Sequence, residues 1–130
     1  MISYEVRALT FDHLETMGQK DWLSNERRMS GPAYVFLLEG RPIAAAGLGR
    51  VTGRRFFAWC TMTPEMRDSA LLMRRLTREV QARYPIIRDL IRAEAVDAET
   101  DDEPSFRQWL ERLDLQRLPI VRYGWRREDG

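Results

Sequence analysis

A chain of 130 residues is the size of one domain, and 44% hydrophobic against 32% charged residues is enough apolar surface for a packed core and too much for a disordered tail. Twenty-one Lys+Arg against twenty Asp+Glu leave a net charge of +1, so no global field draws the molecule to nucleic acid or anionic lipid. No run approaches the roughly 18 apolar residues of a membrane span, the first residues lack the plan of a signal peptide, and Cys60 is the only cysteine, which excludes an intrachain disulfide and a cysteine-based zinc cage.

The expectation is a single domain over residues 1–130, cytoplasmic, with no metal and no membrane association. Residues 3–8 alternate, with Tyr4, Val6 and Ala8 against Glu5 and Arg7, and predict a half-buried strand. Thr10 stands where a helix N-cap would, ahead of Phe11, Leu14 and Met17, with Gly18 as the stop. A second short helix over about 21–29 carries Trp22, Leu23 and Glu26 and breaks at Ser30-Gly31-Pro32. Residues 33–38 (AYVFLL) and 43–51 (IAAAGLGRV) are extended runs joined by Glu39-Gly40-Arg41-Pro42, which has hairpin punctuation. Thr52-Gly53-Arg54 makes the next turn, and residues 55–62 (RFFAWCTM) read as a third meander strand covered on both faces.

Thr63-Pro64-Glu65 offers a capping hydroxyl, proline at the first helical position and an acid for the dipole, so a long helix is expected from there to about Tyr84, stopped by Pro85. Met66, Leu72, Met73, Leu76, Val80 and Tyr84 gather on one side of it, and Arg67, Arg74 and Arg78 on another. Residues 89–96 return as a strand, parallel to 55–62 through a right-handed crossover if the two are neighbours. Residues 97–103 form an acidic polar loop, Pro104 opens a helix carrying Phe106, Trp109, Leu110 and Leu113, and residues 118–123 with Trp125 supply the last extended segment.

That order of elements resembles the GCN5-related N-acetyltransferase (GNAT) fold, an α+β architecture in which a mixed, centrally splayed sheet is flanked by helices and the pantetheine arm of acetyl-CoA enters the splay. The resemblance spans residues 2–123, and its most persuasive pieces are the hairpin over 34–47 (YVFLLEGRPIAAAG) and the late segment 105–115 (SFRQWLERLDL), with Asp114-Leu115 where the family usually has Gly-Phe. It implies a central parallel pair formed by the strands near 55–62 and 90–96. It also implies acetyl-CoA contacts at Cys60, Thr61, Met62, Thr63 and Arg67. The family's Arg/Gln-x-x-Gly-x-Gly/Ala phosphate loop at the start of the long helix falls on Thr61-Met62-Thr63-Pro64-Glu65-Met66-Arg67, which has no glycine, lacks a donor at Pro64 and carries an acid at Glu65. No acid stands on 55–62 to act as base, and Leu110 occupies the position of the usual Tyr acid, so no catalytic residue is recognisable.

Size, arginine-rich composition and these lost motifs are also similar to small internal-virion or GNAT-like proteins of tailed bacteriophages. The resemblance thus implies a protein of the host cytoplasm or the virion that acts by binding a host or virion protein. The alternative is an active acetyl-CoA-dependent N-acetyltransferase on an amine or protein.

Other clusters are weaker. Cys60, His13 and Asp12 could be written as nucleophile, base and orienting acid, but a cysteine in an aromatic strand behaves as a small buried hydrophobe. Asp97, Glu99, Asp101, Asp102 and Glu103 alternate like a calcium loop without its required Gly and Glu, and read as a solvated loop able to face a cationic amine. Arg67, Arg74 and Arg78 could hold phosphates, or form a solvated face beside Glu65, Asp68 and Glu79. Trp22, Trp59 and Trp109 read as core or interface anchors, and Trp125 as a partner contact.

Overall fold

In the computed structural model the described residues are 3–99, 116–118 and 122–126, with side chains described through residue 98. The chain runs β1 (Tyr4–Ala8), α1 (Phe11–Thr16), α2 (Trp22–Arg28), β2 (Ala33–Leu38), β3 (Arg41–Thr52), β4 (Arg55–Met62), α3 (Pro64–Arg67), α4 (Ala70–Leu90), β5 (Ala95–Glu99), β6 (Gln116–Leu118) and β7 (Arg122–Arg126). Among the described residues the strands form one seven-stranded sheet in the order β1-β2-β3-β4-β5-β7-β6. Every neighbouring pair is antiparallel except β4 and β5, which are parallel. This is the α+β, mixed and centrally splayed sheet that the resemblance implied, with the parallel pair at its centre.

Turn chemistry sets the meander. Glu39 and Gly40 both have positive φ (50° and 80°) between the paired residues Leu38 and Arg41, the mirror-image turn whose twist suits a two-residue hairpin. Helices then cover both faces. Leu72, Leu76 and Met66 of α3 and α4 bury Phe36, Ile43 and Ala44 on one face, and Tyr84 continues the seam over Leu48, Phe56 and Val96. On the opposite face Leu14 of α1 packs with Val35, Leu37 and Ala45, and Met17, Met29 and Trp59 border the cluster. Two glycines of β3 permit close approaches: a Cβ on Gly49 would lie 2.6 Å from the Arg27 carbonyl oxygen of α2, and one on Gly47 2.6 Å from that of Pro32, just before β2.

Three boundaries differ from expectation. The long helix does not begin at Thr63: Thr63 caps only the single turn α3, and α4 starts after Ser69, whose Oγ accepts from Leu72 N at 3.2 Å. Nor does Pro85 stop it. A proline inside a helix forfeits one hydrogen bond, but buried Tyr84 and the packed Ile87 and Ile91 hold the chain helical as far as Leu90. Residues 89–94 are therefore not strand, and β5 begins only at Ala95. The helix ends instead at Arg92 (φ 53°), with Arg92 N bonding Asp89 O and Ala93 N bonding Arg88 O, a Schellman closure with arginine where glycine is usual. The last extended segment resolves into two strands, β6 and β7. The helix expected after Pro104 lies outside the described residues.

Candidate functional site

The sheet opens at its centre. β4 and β5 pair over only three positions, Arg55↔Ala95, Phe56↔Val96 and Phe57↔Asp97. From there β4 continues to Met62 paired only with β3, while β5 stays with β7 along its length. A fork results, and among the described residues the β5-facing backbone edge of Ala58–Met62 has no strand partner. Strand geometry sends alternate side chains of that stretch to opposite faces. Ala58, Cys60 and Met62 pack beneath α4, whereas Trp59 joins the cluster under α1 and α2.

On the α4 face the chemistry is inert. Cys60 is a free cysteine whose thiol is pushed up to about 12 by burial, so it is no nucleophile at neutral pH. His13 is committed elsewhere, its Nδ1 accepting from Thr10 N at 3.1 Å in the capping box of α1. Among the described residues no contact joins the two, and a Cys60–His13 pair has no support.

The opposite face of the fork is polar. Asp97, side by side with Phe57, holds Arg55 at 3.6 Å. Among the described residues the buried Trp59 indole N–H has no hydrogen-bond partner, and the Arg28 guanidinium of α2 lies 5.6 Å from the ring centroid. Arg28 Nη1 donates to Gln19 Oε1 (3.2 Å) and Asn25 Oδ1 (3.1 Å), and Asn25, 2% exposed, donates to the Gln19 carbonyl at 2.7 Å. Burial lowers the pKa of Arg28, with Asp21 pulling the other way. Sequence reasoning missed this group, because an asparagine and an arginine on a short polar helix carry no signal until the fold folds them inward.

The turn leading out of β4 departs from the expected phosphate loop in an informative way. Thr63 Oγ1 accepts from Met66 N (3.5 Å) and donates to Ile43 O (3.3 Å), so that hydroxyl is occupied by capping. Glu65 is gripped by Arg41 through contacts of 2.7 and 3.3 Å, which neutralises the acid expected to repel phosphates. The long helix starts after Ser69, so an Arg-x-x-Gly-x-Gly/Ala spacing counted from that start reads Arg67-Asp68-Ser69-Ala70-Leu71-Leu72. Its arginine is present, with Ala70 and Leu72 where glycines are usual. Ser69 satisfies Leu72 N, and among the described residues the N–H groups of Ala70 and Leu71 at the positive end of a 21-residue helix remain available.

Of the residues expected to contact acetyl-CoA, the fold brings the backbone of Cys60, Thr61 and Met62 to the open edge. It commits Thr63 to capping and leaves Arg67 exposed on α3, just before the α4 start. Arg67 is not on the long helix with Arg74 and Arg78, so the three do not form one helical arc. Asp97 and Glu99 lie on β5 and not in a loop, and residues 100–103 are outside the described set. Trp22 is no core anchor: it is 58% exposed and stacks on Phe11 at 5.0 Å. The side chains of Trp109 and Trp125 lie outside the described residues.

Among the described residues no group of three or more His, Cys, Asp and Glu is placed to hold a metal, and no helix is long and apolar enough to cross a membrane. No protein-family model matches the chain, and no curated protein does. Solved structures do. The chain is similar to an acetyltransferase from Bacillus subtilis solved in complex with CoA, at a TM-score of 0.69 and 10% identity over 98% of this chain and 100% of that one. It is likewise similar to the ribosomal-protein-S5-alanine acetyltransferase of Vibrio fischeri, at a TM-score of 0.69 and 11% identity over 97% and 94% of the two chains. A third, described as a GNAT-family acetyltransferase from Desulfovibrio desulfuricans, has a TM-score of 0.59 and 16% identity over 97% and 99%.

Proposed function

We propose that this chain, which has the GNAT acetyltransferase fold, binds acetyl-CoA in the fork between β4 and β5 and passes the acetyl group to an amine. The observation that carries the proposal is the unpaired edge of Ala58–Met62, which leads through a turn where Arg41 pairs with Glu65 to the start of α4. The residues present fit the donor: an extended amide-bearing arm can hydrogen-bond to the free strand edge, and a pyrophosphate suits the Ala70 and Leu71 N–H groups with Arg67 beside them. When bound, acetyl-CoA supplies an acetyl group activated as a thioester.

The chain's own contribution is positional. β4 carries no acid, and Cys60 is protonated at neutral pH, so an amine must arrive deprotonated and catalysis rests on orientation and on backbone N–H groups beside the reacting carbonyl. Asp68, exposed beside Ser69, opposes phosphate and argues for modest affinity. Calorimetric titration of CoA tests the proposal. Saturable binding in the micromolar to millimolar range is expected, weakened at least about tenfold by Arg67→Glu and strengthened by Asp68→Asn. Absence of binding to wild type would remove the acyl-transfer function.

A second function is supported by a different surface. Trp22 and Leu23, 58% and 67% exposed on α2, form an apolar patch with Phe11 that suits contact with a protein. With the small size and arginine-rich composition behind the phage resemblance, it supports binding to a host or virion protein. Pull-down with wild type but not with Trp22→Ser would support it, and equal capture by both would count against it.

A further inference from the structure

We propose that Arg28 and the Trp59 indole N–H form an anion-recognising corner of the acceptor side of the fork, and that the amine acceptor carries a carboxylate, as a free amino acid does. The inference rests on the acyl-transfer function proposed above and names its substrate class. Three independent features converge on it.

The first is an orphan donor. The Trp59 N–H is buried and has no partner among the described residues, and a buried unsatisfied N–H is costly enough to call for an explanation. The second is a cation without an anion. Among the described residues Arg28 has no carboxylate within ion-pair distance. Its hydrogen bonds run from Nη1 to two neutral oxygens, those of Gln19 and Asn25, and the acid it feels most, Asp21, is engaged with Ser24 Oγ (2.8 Å) and Leu23 N (3.2 Å) as the N-cap of α2. The third is place. Trp59 stands on the stretch of β4 that has left β5, two residues past the last parallel pair, and its ring faces α2 and not α4.

A carboxylate between these groups would accept from the indole N–H and from the free edge of the guanidinium, which offers a planar fork of donors. Arg28 is already fixed by Gln19 and by buried Asn25, so little side-chain freedom is left to lose on binding. The other charges on this face do not compete, because Arg55 and Asp97 are paired with each other.

The test is an NMR titration of the full chain with ¹⁵N-labelled tryptophan, in which Trp59→Phe identifies the Trp59 indole signal while keeping a ring under Arg28. Free amino acids of small, aromatic and basic type are added, each against its own carboxamide, with and without CoA. The expected result is a saturable shift of the Trp59 signal by at least one acid and at least about tenfold weaker binding of its amide. Arg28→Gln is expected to close that gap between acid and amide, whereas Arg28→Lys keeps part of it. If no acid moves the Trp59 signal, or if acid and amide bind alike, the proposal is wrong. CoA binding followed by calorimetry reports on the acyl-transfer function separately, so a chain that binds CoA yet ignores carboxylates would overturn this inference alone.

Discussion

Gly49→Ala is a sharp probe of how α2 sits on the sheet. The added Cβ would lie 2.3 and 2.4 Å from Cε1 and Cζ of Phe57 and 2.6 Å from the Arg27 carbonyl oxygen, where ordinary contact needs about 3.5 Å. The Phe57 ring can swing, but the Arg27 carbonyl is helix backbone, so α2 itself must back away by close to an ångström. Overpacking of this kind costs about 1–3 kcal/mol, and the upper half applies because one neighbour cannot rotate aside. The smaller unfolded-state entropy of alanine returns roughly 0.4–1 kcal/mol, leaving a net loss of about 1–2.5 kcal/mol. Urea denaturation followed by circular dichroism should show a lower midpoint at unchanged slope, and a melting temperature lower by roughly 3–10 °C. Adding Phe57→Leu should recover part of the loss by removing the ring atoms in the way. If Gly49→Ala is as stable as wild type, α2 does not rest on β3 as described, and the approach of Arg28 to Trp59 loses its structural basis.

Other outcomes follow from single features. Arg92→Gly should stabilise the chain by about 1 kcal/mol in the same denaturation assay, because φ 53° strains any residue with a Cβ. Ser69→Ala should cost about 1 kcal/mol through loss of the α4 cap, while Glu65→Gln, which breaks only an exposed pair with Arg41, should cost under about 1 kcal/mol. Cys60 gives a pH signature: its folded pKa is raised to about 12 from 9.0, so the native state holds that proton more tightly. The stability this provides is complete below about pH 9 and is lost as pH rises through 9 to 12, by at most about 1.4 kcal/mol per unit. Denaturation at pH 8 and pH 10 should show that slope in wild type and a reduced one in Cys60→Val, above the similar contribution of Tyr4, whose hydroxyl burial also raises to about 12.

The architecture was legible wherever local chemistry and tertiary packing agree. Thr10, the Glu39-Gly40 turn and the aromatic-rich run of residues 55–62 each specify their element unaided, and the parallel pairing of β4 with β5 follows from one long helix lying between them. Errors arose where packing overrules a local signal. Pro85 announces a helix end, yet burial of Tyr84 with Ile87 and Ile91 carries the helix past it, and the true stop hides in Arg92 because the Schellman closure lacks its usual glycine. Thr63-Pro64-Glu65 announces a helix start, but the helix it starts lasts one turn. That displacement moves the start of the long helix from Thr63 to Ser69, and the pairing of Glu65 with Arg41 crosses 24 positions in sequence, so nothing local shows that this acid is neutralised. The Arg28–Trp59 corner joins a helix to a strand 31 positions later, a contact that no periodicity encodes.

Whether the open edge of β4 and the start of α4 take up the donor, as proposed, can be read from amide chemical-shift mapping during CoA addition. The backbone amides of Ala58–Met62, together with Ala70 and Leu71, should shift in one saturable transition, with those of β1 and α1 unmoved. Shifts confined to other parts of the chain, or none with CoA at about 1 mM, a typical upper bound for such affinities, would show that the donor does not bind there.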